Sequence, residues 1–180
     1  MKKVIFAAVL MTSAFVASAQ TQKGQWLVGG NASFKSEKFG DGDANKATLF
    51  QFNPNAGYFF MNNLAGGVRF NYGSTKIKSE SDATTNLLVG PFVRYYVIPH
   101  ADKINVFVDG SYGWGSTGGH DKANVNGYAF SAGPAFFVSP TVALEFALSY
   151  SSYNYKGTAP WDNTFGVNVG FQIHLGKAKK

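Results

Sequence analysis

Four ionisable residues stand alone in otherwise uncharged stretches of the chain: Arg69, Arg94, Asp109 and Glu145. Two guanidinium groups and two carboxylates sum to zero. Gathered away from water, such groups either neutralise one another as buried ion pairs or, by exchanging partners, gate a path for water. The histidines offer less. His100, His120 and His174 are far apart in sequence and none has metal-ligand spacing. His120 beside Asp121, helped by Ser116 or Asp162, is the sole set that resembles hydrolytic machinery, and those residues are too scattered to predict an enzyme. Gly113-Trp114-Gly115-Ser116-Thr117-Gly118 is a literal G-x-G-x-x-G. No helix follows to aim its N-terminus at a phosphate, so the run is read as a loop exit. The chain has no cysteine, which removes thiolate metal sites, disulfides and a cysteine nucleophile. The expectation is a protein with no catalytic, cofactor or metal site, whose chemistry lies in the four charges.

Those charges need elements to hold them, and the sequence supplies strands. Hydrophobicity alternates with a period of two from Trp26 to Leu175. Val142, Leu144, Phe146, Leu148 and Tyr150 share one face, against Ala143, Glu145, Ala147 and Ser149 on the other. Phe165, Val167, Val169, Phe171 and Ile173 alternate likewise with Gly166, Asn168, Gly170, Gln172 and His174. Six further segments follow the rule, near residues 25–35, 48–59, 64–73, 86–97, 104–114 and 126–138, and no amphipathic helix appears. Polar loops near 36–47, 74–85, 115–125 and 151–163 alternate with tight turns at 61–63, 99–102 and 139–140. Long and short connections therefore lie on opposite rims. This predicts an all-β fold, an eight-stranded antiparallel up-and-down transmembrane β-barrel, which leaves no sheet edge unpaired.

Composition decides which face points inward. Of the 180 residues 14% are charged and 16% aromatic, where a soluble domain carries about 25% charged residues. The face with Trp26, Phe34, Phe50, Phe52, Tyr58, Phe70, Tyr72, Tyr95, Tyr112, Trp114, Tyr128, Phe130 and Phe136 carries no charge and would overfill the narrow interior of an eight-stranded barrel. The face rich in Gly, Ala, Asn and Ser is expected inside, with Leu27, Leu49, Leu88, Phe92 and Phe107 as filling. All four isolated charges fall on that inner face; the third strand faces the seventh across an eight-stranded barrel, so Arg69 is expected to reach Glu145, with Arg94 and Asp109 on neighbouring strands near the same height. A charge facing lipid at mid-bilayer would cost about 2–4 kcal/mol, so this segregation suits a membrane barrel. Tyr58, Phe59 and Tyr95 near the tight rim and Tyr72, Tyr112, Trp114, Tyr128 and Tyr150 near the loopy rim are placed as interfacial girdles. Pro54, Pro91 and Pro134 lie in even-numbered strands of a sheet without an edge, where a missing N–H is costly. They predict bulges.

The chain opens with Met1-Lys2-Lys3, a largely apolar run from Val4 to Val16 and the small-x-small site Ala17-Ser18-Ala19. This is the pattern of a cleavable secretory signal peptide over residues 1–19, leaving residues 20–180 as the barrel. The apolar run is shorter than the ~20 residues a membrane-spanning helix requires. The basic excess of the remainder is mild and lacks an aromatic-interleaved basic stripe, so nucleic acid is not an expected partner.

Pro54-Asn55-Ala56-Gly57-Tyr58-Phe59-Phe60, Gly90-Pro91-Phe92-Val93-Arg94-Tyr95-Tyr96, Gly133-Pro134 and the closing Asn168-x-Gly170-x-x-Ile173-x-Leu175 resemble the bacterial outer-membrane beta-barrel domain family, the small porin-like proteins related to OmpX and the OmpA barrel. The resemblance covers essentially all of residues 20–180. It implies residence in the cell outer membrane among lipid and lipopolysaccharide, long loops outside, both termini in the periplasm, and recognition of the last strand by the barrel assembly machinery, though Gly176 and a lysine-rich tail follow where the family commonly ends in Phe.

The expected role is structural or surface-interacting, performed by a monomeric barrel with a mostly plugged lumen. The alternative is a narrow porin-like channel for ions or small solutes, gated by the four lumenal charges. An outer-membrane enzyme and a soluble carrier with an apolar cavity are the weaker readings.

Overall fold

The computed structural model describes residues 21–38, 46–78, 83–98, 103–118, 123–155 and 161–176. Eight strands follow one another along the chain: β1 (Trp26–Lys38), β2 (Lys46–Met61), β3 (Leu64–Ile77), β4 (Thr84–Tyr96), β5 (Ile104–Gly118), β6 (Ala123–Ser139), β7 (Val142–Tyr155) and β8 (Asp162–Leu175). Each pairs antiparallel with the next, and β8 returns to β1, so the sheet closes into a barrel. His100, His120, Asp121 and residues 1–20, including the expected signal peptide, lie outside the described residues.

Strands run further toward the loopy end than alternation predicts, β5 to Gly118 and β7 to Tyr155. The polar runs read as loops are rich in Gly, Ser, Thr and Asn, which mark turns when taken singly. Here their backbones still bond across the ladder, as in the β5–β6 pairs from Gly115↔Val125 to Thr117↔Ala123. The G-x-G-x-x-G is therefore strand β5 and not a loop exit. A Cβ on its Gly115 would land on the Leu87 carbonyl, so the glycine lets β4 and β5 approach closely.

Alternation sorts the side chains as expected. Leu27, Leu88, Phe92 and Phe107 are buried inside, and Leu49 is half-buried. Trp26, Phe52, Phe70, Leu144, Phe146, Leu148 and Phe171 form part of an exposed apolar belt. A soluble protein would not leave so large a continuous apolar area in water. Trp26 packs edge-on against Tyr58 near the tight-turn end. At the other end Tyr128 contacts Phe130, Tyr150 and Trp161, while Tyr112 lies against Trp114. Phe59 does not belong to the girdle. The pleat that turns Tyr58 and Phe60 outward turns Phe59 in, and it is fully buried.

The prolines do not make bulges. The register is unchanged across Pro54, Pro91 and Pro134, but on one side of each the ladder omits two residue pairs: Asn53 and Pro54 toward β3, Gly90 and Pro91 toward β5, Gly133 and Pro134 toward β7. The missing N–H thus falls in a gap of the ladder. A Cβ on Gly90 would land on the Tyr112 carbonyl, and one on Gly133 on the Phe146 carbonyl, so glycine before proline keeps the bare backbones in contact. Register shifts occur instead at the tight-turn ends of β2 and β6, between Phe59 and Met61 and between Phe137 and Ser139.

Residues 21–25 lie across the tight-turn end. The Gly24 N–H donates to the Phe59 carbonyl at 2.9 Å, the Phe59 N–H to the Gln25 carbonyl at 2.9 Å, and the Asn63 N–H to the Thr21 carbonyl at 2.6 Å. Asn63 takes φ = 65°, a left-handed conformation asparagine tolerates, and its carbonyl accepts from the Tyr96 N–H at 2.9 Å. One turn thereby ties the N-terminal segment, β2, β3 and β4 together.

Gly90→Ala tests the proline account. Overpacking of this kind costs about 1–3 kcal/mol. The variant is expected to unfold from lipid vesicles at lower urea than wild type, whereas Gly73→Ala, whose Cβ meets only the Asn86 side chain at ordinary distance, is expected to unfold like wild type.

Candidate functional site: the lumenal charge chain

Arg69, Arg94, Asp109 and Glu145 come from β3, β4, β5 and β7, and the pleat turns all four into the lumen, where each is buried. Asp109 and Arg94 are directly paired across the β4–β5 ladder, and Arg94 Nε donates to Asp109 Oδ2 at 3.0 Å. Arg94 Nη1 reaches across to Glu145 Oε1 at 2.8 Å and Oε2 at 2.9 Å. Arg69 grips Asp109 with both ends of its fork, Nη1 to Oδ1 at 2.6 Å and Nη2 to Oδ2 at 2.8 Å. The order is Arg69–Asp109–Arg94–Glu145, four alternating charges in one chain.

This corrects the expected Arg69–Glu145 contact. Arg69 pairs with Gly90, four residues further toward the loopy end of β4 than Arg94, so the Arg94 fork occupies the space between the two carboxylates. Of the two carboxylates, Arg69 meets only Asp109. Strand number alone places Arg69 opposite Glu145; the register puts Arg94 between them.

Alternation of sign makes the burial tolerable. Isolated charges in a low-dielectric interior cost several kcal/mol each, and only close, well-bonded pairing recovers that cost. Aromatic faces complete the setting, with Arg69 Cζ 4.8 Å from the Phe92 ring centre and Arg94 Cζ 4.4 Å from that of Phe107. These phenylalanines, read in the sequence as inert filling, are packing partners of the guanidinium groups.

Beneath the charges lies a second layer, of which the sequence placed Phe107 and His174 inside but not Phe59 and Tyr96. The Tyr96 hydroxyl donates to Glu145 Oε1 at 3.2 Å and lies 3.3 Å from His174 Nε2. The His174 ring packs 5.6 Å from Phe59 and 5.3 Å from Phe137. Tyr96, Phe59, Phe107 and His174 are all fully buried and fill the barrel toward the tight turns. A signal for Tyr96 existed: in Tyr95-Tyr96 the pleat allows only one ring to face outward.

Above the charges the lumen is hollow. A cavity of about 170 Å³ is walled by amide and hydroxyl side chains, among them Asn31, Asn53, Asn71, Ser149, Ser151 and Asn168, with Arg69 on its lining. A second void of about 30 Å³ touches Arg69, Arg94 and Glu145.

Of the hydrolytic set, Ser116 lies in β5 and Asp162 opens β8, while His120 and Asp121 fall outside the described residues. Among the described residues no three His, Cys, Asp or Glu side chains are placed to hold a metal ion.

A closed antiparallel barrel with charges inside and an apolar belt outside meets the family model for the outer membrane protein beta-barrel domain over residues 4–172. The chain belongs to this family. It is an eight-stranded barrel of the outer membrane, and the apolar belt is its lipid-facing surface. Among solved structures it is similar to Neisserial surface protein A, at a TM-score of 0.61 and 15% identity, over 84% of this chain and 97% of that one. It is also similar to OprG of Pseudomonas aeruginosa, at 0.51 and 14% identity over 87% and 98% of the two chains. The N-terminal barrel of OprF from the same organism matches at 0.50 and 9% identity over 85% and 98%. At such identities the shared feature is the fold. No curated protein matches the sequence.

The chain order makes Arg94 the pivot. Arg94→Ala leaves Glu145 without its guanidinium partner and is expected to destabilise the barrel by about 3–5 kcal/mol. Arg69→Ala leaves Asp109 still held by Arg94 and is expected to cost clearly less. Urea unfolding of both variants in lipid vesicles checks the ranking.

Proposed function

We propose that this protein is a closed, non-conducting barrel with a structural or surface-interacting role in the outer membrane, and not an enzyme. The observation that carries this reading is the double plug. A charge chain spans the lumen between β3, β4, β5 and β7, and beneath it Phe59, Tyr96, Phe107 and His174 fill the remaining section. Water or solute passing through would have to part both layers. In this reading outer-membrane lipid and lipopolysaccharide surround the belt, the assembly machinery recognises β8, and the barrel works as a monomer displaying its longer connections outside the cell. Residues 1–19 serve as the cleavable export signal.

One observation favours the second reading, a narrow gated channel. The 30 Å³ void beside Arg94 and Glu145 has room for a water molecule, which needs about 10–15 Å³. A partner exchange there would extend the outer cavity inward. The two readings separate in a planar bilayer. Refolded protein, with insertion verified by a heat-modifiable gel shift, is expected to give no discrete conductance steps. Steps that change in Glu145→Gln would establish the gated channel instead.

A further inference from the structure

The β1–β8 seam closes over only half its length. Its ladder runs from Trp26↔Leu175 to Ala32↔Val169 and stops. Both strands continue outward: Ser33 to Lys38 bond to β2, and Asp162 to Asn168 bond to β7. Continuing the register would set Ser33 against Asn168 and Phe34 against Val167, yet neither pair forms. Among the described residues the other seven seams have no such open end. Two facing strand edges therefore lack a ladder partner on the outer side, a condition barrels otherwise abolish.

A local cause lies just below. Gly30 takes φ = 149° opposite Pro54, and a Cβ there would strike the Asn53 carbonyl and lie 2.8 Å from the Pro54 Cα. The backbone takes a conformation there that other residues rarely adopt, and the bonding of β1 to β8 ends two residues later.

Two observations say what the opening accepts. Phe34 at 71%, Phe165 at 70% and Val167 at 67% are the most exposed large apolar side chains among the described residues, and all three flank this seam. On the inner side, Asn168, Thr164 and Asn31 line the 170 Å³ cavity, so parting the two strands there would join the lipid-facing surface to a polar hollow. Among the described residues the one charged group on that lining, Arg69, is already paired with Asp109, so the lining offers no unpaired charge. On the measure by which one water needs about 10–15 Å³, the hollow of about 170 Å³ has room for on the order of ten waters, enough for a small head group.

We propose that the outer cavity binds the uncharged, hydroxyl-rich head of a single-chain amphiphile, which enters sideways from the outer leaflet through the β1–β8 seam and leaves its tail against Phe34, Phe165 and Val167. This goes beyond the closed-barrel reading and is compatible with it, because head and tail stay on the outer side of the charge chain.

The test uses the full barrel, isotope-labelled, in zwitterionic dodecylphosphocholine micelles, titrated with octyl glucoside and, separately, with D-glucose. Octyl glucoside is expected to shift the Asn31, Ser149 and Asn168 signals saturably, with glucose at least tenfold weaker. A nitroxide at the tail end of the glycoside is expected to broaden Phe34 and Phe165 amides more than Leu87 on the opposite wall. Asn168→Leu, or Thr164→Val should that variant fail to show the heat-modifiable folded band, is expected to weaken the saturable shift at least tenfold. Absence of a saturable shift overturns the proposal. So does equal binding of glucose, which would mean a sugar site filled from the outer mouth, or broadening equal at Leu87 and Phe165, which would mean that the tail does not occupy the seam.

Discussion

Everything inside this barrel is arranged around the burial of four charges in one unbranched chain. Arg94 is held by two carboxylates and Asp109 by two guanidiniums, so each inner member is bonded on both sides and each end member is bonded on one. The four residues come from four strands, and the chain ties those strands together across the lumen. Backbone ladders fix each strand to its neighbours; the charges fix walls that the ladders never join, β4 to β7 through Arg94 and Glu145. A small barrel has too narrow an interior for a large apolar core, so bonds of this kind take the place of part of that core.

The constraint spreads outward to the backbone. A lumen this narrow that must hold guanidinium groups and aromatic rings needs its strands to approach closely elsewhere, and glycines provide that approach. The Gly-Pro pairs on β4 and β6 place a residue with no N–H where the ladder has a gap, beside a residue with no side chain where two backbones touch. Each proline thereby costs the closed sheet one ladder bond, and the register continues unchanged on both sides of it. At Gly30 and Pro54 the close backbone contact lies beside the seam where the first strand meets the last. That seam zips only as far as Ala32.

The strands, the number of them, the facing of each and the inward placement of the four charges were legible in the sequence. Alternation with period two is a direct consequence of the pleat, and the sorting of charge from aromatic mass tells which face is inside. Partner choice was legible for Arg94 and Asp109, neighbours on adjacent strands, and not for Arg69. Arg69 and Glu145 sit on opposite walls by strand count, but the register places the Arg94 fork between them, and register depends on long-range stagger that no local pattern encodes. Phe59 and Tyr96 were misjudged or overlooked for a simpler reason: in Tyr58-Phe59-Phe60 and Tyr95-Tyr96 aromatics occupy successive positions, and only strict application of the pleat separates lipid-facing from plug-forming rings. The strand ends were read short because glycine, serine and asparagine mark turns in isolation yet pair normally once a ladder is already in place.

The central claim is that Arg94 and Glu145 act as one unit that holds opposite walls together. A double-mutant cycle of Arg94→Met and Glu145→Met, unfolded by urea in lipid vesicles, measures that unit directly. Each single variant is expected to be markedly less stable than wild type and the double variant to recover much of the loss, with a coupling energy of about 2 kcal/mol or more. Losses that simply add, within about 0.5 kcal/mol, would contradict it and mean that the two residues stabilise the barrel independently.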